Sequence, residues 1–283
     1  MVQINNFNDN KNLVKLEEKG CFAVYEHQRD LSVSPFESPI AYYMHEMNFR
    51  KRQVLCTLKN NSVKIQAGAM QWTAGDVKAS SGVKGVGGFL KGALKGAVTG
   101  ESAVKPVYEG NGYLMLEPTF EYLIIEDIAS WGPNGVIMQD GLFLACESSL
   151  QEKVVARSSL SSALAGGEGL FNLSLLGSGL AVFESPVPRD ELYEVVLDND
   201  ECKIDGNMAI AWSGSLNFTV EKSSKSLLGS MINGEGLVNV YRGSGKIWLC
   251  PSVPGTLQSK DNTVTDKKAS KGIVGNIINA VGD

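Results

Sequence analysis

Few residues in this chain of 283 are of types that do chemistry, and their spacing argues against most of it. The two histidines are His27 and His45. His45-Glu46 begins like a His-Glu-x-x-His zinc helix, but Phe49 stands where the second imidazole belongs. A metal site inside a β-barrel needs several imidazoles and a carboxylate on neighbouring strands, more than this chain supplies. No Gly-x-Ser-x-Gly elbow and no Gly-Lys-Ser/Thr phosphate loop occurs. Adjacent carboxylates such as Glu17-Glu18 and Glu126-Asp127 are ordinary, because acid–base catalysis needs a placement in space that adjacency does not provide. The five cysteines (Cys21, Cys56, Cys146, Cys202, Cys250) form no Cys-x-x-Cys pair, and most lie in apolar, strand-like stretches as small hydrophobes. The expectation is a non-enzymatic protein with no catalytic residue, no cofactor and no metal site.

One carboxylate does recur. Gly100-Glu101, Gly167-Glu168 and Gly234-Glu235 stand 67 residues apart, from 167 − 100 and 234 − 167. Three such carboxylates brought together by symmetry could bind a cation. The simpler role is structural: each Glu accepts from backbone N–H groups at a corner between a helix and a strand.

The elements that would position these residues also repeat. Gly234-Glu235-Gly236-Leu237-Val238-Asn239-Val240 leads to Gly243-Ser244-Gly245, and Gly167-Glu168-Gly169-Leu170-Phe171-Asn172-Leu173 leads to Gly177-Ser178-Gly179. A looser copy runs from Gly100-Glu101 to Gly110-Asn111-Gly112. Alternating apolar residues on either side read as strands, and Gly-x-Gly between them as a tight or bulged turn, so the pattern predicts one β-hairpin written three times. Asp140-Gly141 and Asp205-Gly206, each followed by an apolar run, read as further hairpin turns. No helix pattern follows these glycines, so they are not a phosphate cradle.

The fold class read from this is mainly β, with three tandem β-sandwich-like modules of double-stranded β-helix type and short helical inserts. An N-terminal lead-in covers residues 1–39, ending at Pro35 and Pro39. Module one spans 40–120, module two 121–187 and module three 188–254. A polar linker and amphipathic tail occupy 255–283.

Each module carries an insert between a Ser-Ser pair and its Gly-Glu pair, with serine as N-cap and glycine as helix stop. The first is the richest: Phe89, Leu90 and Leu94 share one helical face, with Lys84, Lys91 and Lys95 roughly opposite. Its interior glycines each cost about 1 kcal/mol of helix stability, so it needs a partner surface. In the tail, Ile273, Ile277 and Ile278 likewise share a face. Packing on the chain's own β-body, on another subunit, or on an anionic membrane surface would each serve.

A formal net charge of −5 gives no overall basic field, which argues against nucleic acid as a partner. The Asn-rich start carries no leader pattern and no apolar run reaches membrane-spanning length, so a reducing cytoplasmic setting is expected, with peripheral membrane contact open.

Together, Gly-Glu-Gly-Leu-Phe-Asn, the Gly-Ser-Gly steps and the insert ending Thr99-Gly100-Glu101-Ser102 resemble the altered-inheritance-of-mitochondria protein family over roughly Ile40 to Pro254. The resemblance implies a fold similar to the tryptophan RNA-binding attenuation protein, with three modules per chain, and homotrimers whose nine modules close a ring. It implies no catalytic residues. Mitochondrial members are linked to inner-membrane organisation, which adds a membrane-proximal scaffold to the expectations. The alternative is a small-molecule or lipid-tail binder with an apolar cavity.

Overall fold

The structure, a computed structural model, describes residues 2–80, 105–156, 171–222 and 237–252. Met1–Cys250 forms one compact unit. The chain is mainly β: fifteen strands, one α-helix and two 3-10 turns among the described residues.

The first strands are β1 (Leu13–Lys19) and β2 (Phe22–His27), followed by helix α1 (Ser38–Glu46). Then come β3 (Arg52–Ile65), β4 (Met70–Ser80) and β5 (Val107–Leu116). The middle of the chain gives β6 (Tyr122–Asp127), β7 (Val136–Met138), β8 (Phe143–Glu147), β9 (Gln151–Ala156), β10 (Phe171–Leu176) and β11 (Leu180–Ser185). The last are β12 (Tyr193–Asp205), β13 (Ala209–Ser213), β14 (Asn217–Lys222) and β15 (Leu237–Leu249).

They form two curled sheets. The eight-stranded sheet runs β1-β2-β3-β8-β11-β6, with β5 on β3 and β4 on β5. The seven-stranded sheet runs β12-β15-β13-β7-β10-β9, with β14 on β15. Strand alternation divides side chains between faces. Val182 of β11 enters one core cluster with Val24, Cys56 and Leu114, while its neighbours Ala181 and Phe183 enter another with Met138, Trp131 and Trp248. Burying each large apolar side chain contributes about 1.5–3 kcal/mol, so a strand covered on both faces is anchored twice over.

The glycine pairs do not make hairpins. Gly110-Asn111-Gly112 lies within β5 and Gly243-Ser244-Gly245 within β15, each opposite a register shift in the neighbouring strand (Lys59/Asn61 and Leu197/Asp200). Gly177 and Gly179 separate β10 from β11, which pair in different sheets rather than with each other. At Gly110 and Gly243 the glycines carry a long strand past a register shift at positive φ. Gly110 shows why: its φ is +131°, and a Cβ there would lie 2.1 Å from the Asp76 carbonyl oxygen. The Asp140-Gly141 turn is likewise a crossing, carrying the chain from β7 in one sheet to β8 in the other.

Candidate functional site

The residues singled out in the sequence lie outside the described residues. This holds for Gly100, Glu101, Gly167, Glu168, Gly234 and Glu235, for Lys84, Phe89, Leu90, Lys91, Leu94 and Lys95, and for Ile273, Ile277 and Ile278. The described residues offer three polar clusters and two kinds of open surface.

The most buried cluster ties the segment after α1, at Asn48, to the sheet. Arg52, 2% exposed, donates from Nε to Glu26 Oε2 at 2.9 Å, and Arg50 donates to Glu26 Oε1 at 2.9 Å. Arg52 also donates to the Asn48 carbonyl at 3.0 Å, and its guanidinium lies 4.1 Å from the Tyr122 ring centroid. A second cluster joins the two tryptophans Trp131 and Trp248, whose ring centroids are 4.9 Å apart. Their indole N–H groups donate to Glu126 (3.0 Å) and Glu194 (2.8 Å), and Lys246 and Arg189 cover the rings as cations. In the third, Arg242 on β15 donates to Glu201 on β12 and to both carboxylate oxygens of Glu221 on β14, fastening three strands. The Arg242 hydrogen bond holds the Glu221 carboxyl down at about 2.

These clusters orient strands. None sets a nucleophile against a base. His27 Nε2 meets Gln53 at 2.8 Å, and His45 sits beside the adjacent Glu46. Burial pushes the Cys21 thiol up to about 12 and raises Cys56, Cys146 and Cys202 as well, the opposite of an activated thiol. No group of three or more His, Cys, Asp or Glu is placed to hold a metal ion among the described residues.

The open surfaces are of another character. Helix α1 buries none of its residues, and Ile40, Tyr42, Tyr43 and Met47 on or beside it are all exposed, as are Phe36 and Phe49. Pro39 in its first turn fixes the helical φ without losing a bond, and this Ser-Pro start was a readable helix signal. Between α1 and the sheet lies a cavity of about 380 Å³ lined by His27, Ile40, Met44, Phe49, Arg50 and Phe120, among others.

The second open surface is made of strand edges. Among the described residues β1, β6, β9 and β14 each pair on one side only, and so do the two longer strands β4 and β12. Among the described residues β4 pairs only with β5, and β12 only with β15. Most residues of both strands are exposed, whereas β8 and β13 are almost wholly buried. Hairpin reasoning from the sequence missed these edges because strand pairing is set by residues far apart in the chain.

Comparison with known proteins places the chain. It is 30% identical over 195 residues to an uncharacterized protein of Streptococcus pyogenes serotype M6, covering 66% of this chain and 76% of that protein. A crystal structure of a protein from Streptococcus pyogenes is similar at 28% identity and a TM-score of 0.51, covering 73% of this chain and 90% of the other. The model of the mitochondrial biogenesis AIM24 family matches residues 45–252. With strand-built cores among the described residues of that span, the chain belongs to the AIM24 family.

Proposed function

We propose that this protein is a non-enzymatic scaffold whose three tandem β-modules join those of two further copies in a homotrimeric ring. The observation that carries this reading is a strand order that recurs three times. β5 runs between β3 and β4, and β15 between β12 and the β13–β14 run. In the middle, β11 and β10 run between β6–β7 and β8–β9. Each module is thus a first, a second and a third strand run, with the third in the centre. Neighbouring modules join by the first run of one and the second run of the next, in β3·β8 and in β7·β13. By this joining rule β12 is the first run and β4 the second run left without a neighbouring module among the described residues. Closing a ring pairs them, while β1, β6, β9 and β14 keep one-sided edges.

The exposed apolar residues of α1 support contact with a further surface, a protein partner or a membrane, with the scaffold cytoplasmic and peripheral to that membrane. Light scattering on the purified protein tests the ring: three copies per particle agree with it, and a stable monomer at micromolar concentration contradicts it. Salt-sensitive flotation with anionic vesicles tests the membrane contact, and absence of flotation removes it.

The second reading, a binder of small apolar molecules, is favoured by the cavity beside α1, where Ile40, Met44, Phe49 and Phe120 face one space. Thermal stabilisation by apolar ligands, lost in Met44→Glu, tests it.

A further inference from the structure

Register fixes more than strand order. Val63, Val136 and Cys202 are equivalent, because each pairs with the residue two places before the first glycine of its module's Gly-x-Gly: Tyr108, Leu175 and Tyr241. Thr73, Cys146 and Trp212 are equivalent too, each pairing with the residue two places after the second glycine: Leu114, Ala181 and Ile247. These anchors place the two internal joints in one register. Val63, Lys64 and Ile65 stand opposite Glu147, Cys146 and Ala145, just as Val136, Ile137 and Met138 stand opposite Ser213, Trp212 and Ala211.

We propose that β12 of one copy pairs antiparallel with β4 of the next in this same register, with Cys202 opposite Ala74, Lys203 opposite Thr73 and Ile204 opposite Trp72. The inference rests on the ring reading above and names the surfaces that close it.

Three observations carry the assignment. The two edges are of opposite kind, a first run and a second run, and both internal joints pair a first run with a second, so the same pairing brings two copies together head to tail. Side-chain facing agrees: Cys202 and Ile204 point inward from β12 while Lys203 is exposed, and Trp72 and Ala74 are half-buried while Thr73 is exposed. A one-residue slip would set inward side chains against outward ones. Finally, the internal equivalents of these six residues include the wholly buried Ile65, Ala145, Met138 and Ala211, so the exposed edges gain the burial that the joints already have.

Directly opposite residues of an antiparallel pair have Cβ atoms about 4.5–5.5 Å apart, close to disulfide reach. The test is oxidation of the full-length Ala74→Cys protein, with native Cys202 as the expected partner, followed by denaturing electrophoresis. The monomer band shifts to multiples of the chain mass, and Cys202→Ser abolishes the shift. Thr73→Cys, facing the other way, gives no shift. In the unaltered protein, hydrogen exchange of the amides at 72–74 and 202–204 slows with assembly and quickens on dilution, a readout that needs no variant to fold. A shift from Thr73→Cys and none from Ala74→Cys overturns the register. An oligomer by native mass spectrometry with neither crosslink nor amide protection overturns the choice of edges. A monomer by native mass spectrometry overturns the ring reading itself.

Discussion

The joints β3·β8 and β7·β13 and the edges β4 and β12 are built on one plan, yet they sit in opposite environments. At the joints, β8 and β13 are covered on both faces, and apolar residues of the two joined strands share a core. At the edges the equivalent positions carry the exposed Thr73 and Lys203 among half-buried or buried apolar residues, with Asp76, Lys78 and Asp205 exposed further along the same strands. The difference separates two kinds of contact. Joint residues should govern the stability of the single chain whatever its concentration, and edge residues should govern association while leaving the single chain folded.

The comparison breaks first at its most buried charges. Arg52→Ala strands Glu26 without its main partner and should cost about 3–5 kcal/mol in denaturant unfolding, independent of protein concentration. Replacing the pair together, as Arg52→Met with Glu26→Leu, should cost less, because the buried Glu26 carboxylate is removed with its partner and the more exposed Arg50 keeps Gln28. Met138→Ala, at an internal joint, should cost about 2–5 kcal/mol by the same measurement. At the edge, Lys203→Glu combined with Thr73→Glu should leave the circular dichroism of the chain unchanged. It should weaken assembly by about 0.2–1 kcal/mol per contact, since like charges then face each other. Thr73→Glu alone sets opposite charges face to face and should assemble as well as the unaltered protein.

The smallest effect concerns pH. Burial, and then the nearby Glu121 carboxylate, raise the Glu184 carboxyl, against an opposing hydrogen bond from Thr119. A carboxyl raised in the folded state contributes stability that is full below its unfolded value and is lost as pH rises through the folded one. Glu184→Gln should therefore raise the melting temperature at neutral pH and change it little in acid.

Much of this was legible in the sequence, for local reasons. Alternating apolar residues marked β2, β8, β13 and the two halves of β15, and with them the mainly β class. Pairing was not legible. Gly-x-Gly and Asp-Gly require a backbone that bends, and a hairpin, a bulge within β5 and a crossing between β7 and β8 all satisfy that requirement. Which of them forms depends on contacts such as Val63 with Glu147, which lie far apart in the chain. The clamp of Arg50 and Arg52 on Glu26 was invisible for the same reason. The edges, by contrast, follow once the strand order is known, because β4 and β12 each pair on one side only among the described residues.

Native mass spectrometry at low micromolar concentration tests the central claim most directly. A particle of three chains of 30.4 kDa each, falling to one chain when β4 or β12 is disrupted, is the predicted result. A folded single chain at every concentration would contradict the ring and leave both edges for some other partner.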